Sequence, residues 1–458
     1  MIDPPAQAAP PPARAACQRW LVWAVVAGVL AHALFLSISV AGMQIGLAVA
    51  LGAMVALRLG GRRVWARSEL DLPCLVLAGA AVLSLGLGAL AGSPPVGWHE
   101  ATLWRSLLSP LVVLSALEVG RGAFGGEEGG ENRLAYVALG VWAAASFVPS
   151  GVAWAQYVSG FDPLHALGLR QTAVSATVPI YPDRHAAVGF FRWYQRLAHN
   201  LTPPLCVAAS LVFSGGRPRR ERLLLAAASL AAAAAVVLTL SRLAWAGLVL
   251  GALILALLAE RARRWAVPLV LVGSLAMLLH PGVRARIRHI DDPGINDDRK
   301  AIWGVCREMV AAHPLTGVGW GNLPLRSRPL YDRLALTYPA RLPRAWCHNS
   351  FFSAWAEGGP LLCAAVAAYW ALLLRAFWRW RRRAAGAGAR AAATGGLAAV
   401  VVMFVSSLGH DLLYSSEATF GLGFAVAVAA AMARGGGAGG PVLEGGPPAR
   451  PPGSAGSR

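Results

Sequence analysis

The sequence predicts an all-α, polytopic membrane protein of about twelve transmembrane helices, with a large extracytoplasmic loop ahead of the tenth. Three observations predict it. Of 458 residues, 56% are hydrophobic and only 14% charged, with a mean hydropathy of +0.53; a soluble chain of this length carries far more charge. The apolar residues gather in runs that approach the ~20 residues a bilayer requires. The arginines behind the net charge of +19 sit mostly in short segments between those runs, where membrane topology puts them. That placement also sets nucleic acid aside as a partner.

In chain order, residues 1–19 read as a disordered cytoplasmic N-terminus, Pro/Ala-rich as far as Ala16. The first apolar run, 21–40, is too long for a signal-peptide core and has no convincing cleavage site, so it is expected to stay as a span. Spans two to six follow at 41–57, 72–92, 101–119, 134–157 and 197–213. The fifth should kink at Pro149 and Gly151. These six, with a loop at 158–195, make an N-terminal unit over 20–222. Spans seven to ten, at 223–240, 243–258, 265–279 and 352–374, make a second unit over 223–374 that contains the large loop, 281–351. Spans eleven and twelve, at 395–408 and 419–432, fill 375–433. Residues 434–458 are Gly/Pro-rich and read as a disordered cytoplasmic tail.

With the N-terminus inside, the Arg-rich connections 58–67, 217–222, 261–264 and 375–383 all fall on the cytoplasmic side, and the turns 93–100 and 409–418, without arginine, fall outside. Loops 158–195 and 281–351 then face the periplasm of a bacterial inner membrane.

The polar passage 291–357 holds most of the candidate chemistry. Asn296, Asp297 or Asp298 can cap a helix running to about Ala312, with Arg299 in its first turn on the face of Trp303, Cys306 and Val310. That face suggests a helix on the membrane surface. Beside free helix N–H groups, Arg299 reads as a phosphate cradle or as an ion-pair partner of Asp297 or Asp298. Arg242 starts a span after almost no connection, and it either snorkels to outer phosphates or forms an anion site. His348, paired with Asn349, has a residue type that can take a hydroxyl proton near neutral pH, or it is structural. Glu357 is the other candidate base, or a partner for Arg242. HPLTGVGWGN lacks a βαβ context, so its glycines read as a tight turn that brings backbone close to a helix.

The ordered set SRLAW, DDRKAIW…HPLTGVGWGN and HNSFFSAWAEGG resembles the O-antigen ligase/polymerase superfamily over 223–374. GFFRWYQRLAHNL, which holds His199, is similar to the segment that precedes that domain. The resemblance implies glycan transfer from undecaprenyl pyrophosphate on the periplasmic face, with no cofactor and no metal. It implies Arg242 and Arg299 at the pyrophosphate and His348 at the transferred sugar or acceptor; Asn349, Trp303 and His199 are secondary candidates. Two departures stand out: Leu243 replaces a small residue after Ser-Arg, and Leu362 replaces the last glycine of E-x-G-x-x-G.

The expected chemistry is a single displacement with inversion. Two guanidiniums stabilise the leaving pyrophosphate, and His348 or Glu357 takes the acceptor proton. The expected partners are a lipid-linked glycan donor, a glycolipid acceptor (lipid A-core) and membrane lipid. A polymerase on the same carrier, a protein-modifying oligosaccharide transferase, a polysaccharide transporter and a silent scaffold are the rivals. The transporter reading lacks an internal repeat and paired broken helices. Six cysteines show no metal-ligand spacing. Cys306 and Cys347, the two in the large loop, are expected to form a disulfide there, holding the Arg299 helix beside His348 and Asn349.

Overall fold

The computed structural model describes residues 12–90, 92, 103–124, 132–169, 177–178, 181–214, 217–258, 263–288, 293–333 and 346–434. The expected tails 1–11 and 435–458 lie outside it. Residues 12–19, expected to be disordered, instead form the first turns of α1 (Pro12–Phe35). A proline in the first turn costs no hydrogen bond there, and the alanines after it favour helix.

Helix α2 (Val40–Leu59) returns antiparallel against α1. Gly28 and Gly46 let the two backbones meet, since a Cβ on Gly28 would lie 2.7 Å from Gly46 O. Next come α3 (Asp71–Leu90), a 3₁₀ turn (Leu103–Leu108) leading into α4 (Ser109–Gly120), and α5 (Arg133–Ser159), which stays helical through Pro149. A short helix, α6 (Pro163–Ala166), and a two-stranded antiparallel ribbon, β1 (Thr177–Val178) and β2 (Tyr181–His185), occupy the described part of loop 158–195.

The segment after the ribbon is fixed by Gln156. Its Oε1 accepts from Val188 N (3.0 Å) and Gly189 N (2.7 Å), and its Nε2 donates to Gly189 O (2.9 Å). This sets the start of α7 (Tyr194–Val212). Helices α8 (Arg219–Leu238), α9 (Arg242–Leu258) and α10 (Arg263–Leu279) follow. The large loop contains α11 (Pro281–Arg288), α12 (Pro293–Ala312) and α13 (Leu323–Arg333). The chain closes with α14 (Ser350–Arg383), α15 (Ala387–Ser407) and α16 (Ser416–Arg434).

Helices occupy all twelve segments expected to span. Nine of the helical stretches among the described residues are long and apolar enough to cross a membrane, which makes this a multi-pass membrane protein. Three expected spans fall short of that measure for distinct reasons. Helices α9 and α10 have 17 residues each. Helix α7 opens on YQRLAHN, and its polar side chains His199, Asn200 and Thr202 are turned into the protein.

The core is built around α16, whose residues are nearly all buried against α4, α7 and α15. Its alanines and glycines allow close approach without a hydrophobic driving force between helices. Gly421, for example, lies where a Cβ would be 2.8 Å from Asn200 O.

Candidate functional site

The site forms where the turn between α15 and α16 meets the starts of α7, α9 and α14. Its anchor is Asp411, in the turn. His348 N donates to Asp411 Oδ2 (2.7 Å) and Asn349 N to Oδ1 (3.2 Å). The Ser353 hydroxyl donates to the same carboxylate and accepts from Cys347 N (3.1 Å). His348 Nδ1 lies 3.8 Å from Asp411 Oδ2. His348 has a left-handed backbone (φ +51°), uncommon for a non-glycine residue, and the Asp411 bonds hold it there. Asn349 is committed to structure: its Oδ1 caps α14 through Phe351 N and Phe352 N, and its Nδ2 donates to Leu408 O.

Arg299 reaches the same turn from α12, its Nη2 donating to Gly409 O (3.3 Å). The expected cap is corrected here. Helix α12 begins at Pro293, which fits the first helical position, so Arg299 lies in the second turn rather than beside free N–H groups. The side chains of Asp297 and Asp298 lie outside the described residues. Nor does α12 simply lie on a membrane surface. Ile302, Val305, Cys306 and Met309 pack with Tyr331, Leu323, Cys347 and Ala356 in a small core of their own.

Arg242 begins α9 after a three-residue connection in which Leu240 takes φ +55°. It stands near Arg299: burial first, and then the Arg242 charge, lower the pKa of the Arg299 guanidinium. The two guanidiniums stand close together, and Asp411 is the carboxylate among the described residues that acts on Arg299, so the mouth carries concentrated positive charge. Leu243 packs where a Cβ on Gly409 would be 2.9 Å away, so this departure shapes the turn that Arg299 grips.

The sequence did not single out His410. Its ring centroid lies 5.1 Å from that of His199 and 6.4 Å from that of His348. Burial, with His199, Arg299 and His348 adding positive charge, holds His410 well below the ordinary histidine range. Burial raises the Asp411 carboxyl, opposed by His348 and by the hydrogen bonds it accepts.

Glu357 lies deeper, against Tyr414 of the same turn and close enough for Asp411 to act on its carboxyl. It is fully buried and seven residues into α14, about 10 Å along the axis from Ser350. Its Oε1 accepts from Leu323 N (3.1 Å), and its backbone O accepts from Gly319 N (2.7 Å) and Ser84 Oγ (2.9 Å). Tyr414 lies beside the carboxylate. Helix α14 breaks just after it, at Gly358 and Gly359. Gly359 has φ +61°, and a Cβ there would collide with Leu315 O. The glycine run 317–321 is therefore a tight turn strapped to a helix kink, as its sequence suggested. Leu362, the second departure, is buried against Gly358.

The Cys306–Cys347 disulfide is formed. With Trp303 Nε1 donating to Cys347 O (2.9 Å), it ties α12, and so Arg299, to the residue before His348.

The fold and mouth define a multi-pass membrane protein with paired arginines and a His-Asp pair at one end of its helices. Residues 226–367 match a family model described as O-Antigen ligase, so the resemblance to the O-antigen ligase superfamily holds over the stretch from α8 into α14. Arg242, Arg299, His348 and Glu357 fall inside the matched stretch, and Asp411, His410 and His199 fall outside it. No curated protein matches the chain.

Proposed function

We propose that the chain is a lipid-linked glycan transferase of the O-antigen ligase type, working at the periplasmic face of a bacterial inner membrane through twelve spans. Arg242 and Arg299 bind the pyrophosphate of an undecaprenyl-linked donor. An acceptor hydroxyl, on lipid A-core, attacks the anomeric carbon as the sugar–phosphate bond breaks. The pyrophosphate leaves against the two guanidiniums, and the His348 imidazole takes the acceptor proton with Asp411 orienting it. The observation that carries this reading is the meeting of Arg299 and His348 on one turn, with Arg242 alongside. Glu357 positions the 317–323 turn and is not the base.

Donor binding and transfer, measured separately on purified variants, test it. Arg242→Lys and Arg299→Lys should each lose donor binding, because an ammonium keeps the charge but not the planar fork. His348→Ala should keep donor binding and slow transfer by ~10²–10⁴-fold. Full transfer by both lysine variants would sink the pyrophosphate assignment. The acceptor is read from the lipopolysaccharide of a deletion strain: free core with accumulated carrier-linked polymer marks a ligase, and core bearing one repeat marks a polymerase.

A further inference from the structure

Helix α14 starts at the mouth and runs 34 residues to Arg383. Past its break at Gly358 and Gly359, the 24 residues from Pro360 to Arg383 rise ~36 Å at 1.5 Å per residue, still beyond a ~30 Å hydrocarbon core. Its last turns therefore reach the headgroup layer at the far end of the molecule. There Arg379 Nη1 and Arg383 Nη1 lie 3.8 and 3.7 Å from Glu69 Oε1. Arg434, the last residue of α16, donates from Nη2 to Arg67 O (3.0 Å). Its Nη1 is buried and makes no hydrogen bond among the described residues.

Helices α14 and α16 thus bring three arginines to a short segment that carries Arg67, where Glu69 is the carboxylate paired with them among the described residues. The next acid, Asp71, accepts from Ser68 Oγ (3.2 Å) and Trp65 Nε1 (3.4 Å) rather than from an arginine among the described residues. Topology alone asks that arginines lie on one side of the membrane; it does not ask that they converge. Among the described residues, four guanidiniums thus stand against the two carboxylates of Glu69 and Asp71, which leaves the cluster net positive. The surroundings say which anion fits. Trp65 and Trp378 are exposed beside the cluster, and Leu72, Leu75 and Val76 are exposed in the first turns of α3, just after Glu69. Interfacial rings above an apolar helix face suit a ligand with a charged head and acyl chains.

We infer that Arg67, Arg379, Arg383 and Arg434 form a binding site for the phosphate headgroup of an anionic phospholipid, its chains lying along the exposed face of α3. The site shares no residue with the proposed transfer machinery and stands whether or not that reading does.

Native mass spectrometry of the full chain, in micelles doped with phosphatidylglycerol or phosphatidylcholine, tests it. Phosphatidylglycerol should be retained and phosphatidylcholine lost. Arg379→Gln with Arg383→Gln should weaken retention about 25-fold, roughly fivefold per guanidinium. Glu69→Gln should strengthen it, because a competing carboxylate is gone, and this gain cannot come from misfolding. Inorganic phosphate at the same concentration should not displace the lipid. Equal retention of both lipids, an unchanged double variant, weaker binding in Glu69→Gln, or displacement by inorganic phosphate would each overturn the assignment.

Discussion

Asp411 makes three residues of the α14 start behave as one. It fixes the backbone of His348 and Asn349 and the hydroxyl of Ser353. Asp411→Asn should therefore slow transfer nearly as much as His348→Ala, while donor binding persists, because the amide cannot accept on both sides. The sequence made Arg242, Arg299 and His348 legible, since charge in apolar surroundings is conspicuous. It hid Asp411 and His410, which lie about sixty residues further on in a turn read only for its lack of arginine. A His-Asp pair between two apolar runs was the available signal. His410 also predicts a pH dependence. The unfolded chain protonates it near pH 6.5, whereas the folded protein resists until well below. Its contribution to stability is complete above pH 6.5 and drains away as pH falls. Thermal unfolding should show a midpoint that drops on acidification below pH 6.5, and more shallowly in His410→Gln. Identical slopes would place the acid sensitivity elsewhere.

At the scale of elements, the loop is held twice, by the disulfide and by the strap from Glu357 to Leu323 N. These devices have separable signatures. Glu357→Gln keeps an acceptor for Leu323 N and should retain most transfer, whereas a true base would be abolished by that change. Glu357→Ala leaves the N–H unpaired and should cost about 1–3 kcal/mol of stability. Cys306→Ser with Cys347→Ser opens a loop with a sequence separation of 41 and should cost about 2–4 kcal/mol. Labelling of both cysteines without reductant would remove the bond from the account. The nine long apolar helices were legible because apolar runs announce themselves. The start of α12 was misplaced because Asn296, Asp297 and Asp298 carry a capping composition three residues inside the true start at Pro293.

For the whole molecule, reporter fusions after Arg263 and Arg382 should read cytoplasm, and fusions near Gly317 should read periplasm; one reversal would break the orientation. The structure already gathers the basic connections at one end, where Arg381 donates to Leu258 O, and the candidate site at the other. The pairing of His348 with the α15–α16 turn carries a further consequence for biogenesis. A nascent chain that has emerged as far as α14 already contains both arginines, both cysteines and the histidine. It lacks the carboxylate that fixes the histidine's backbone until the α15–α16 turn has been made. The candidate site is thus completed by a segment made after α14, and a chain interrupted after Arg383 should close its disulfide while failing to transfer glycan.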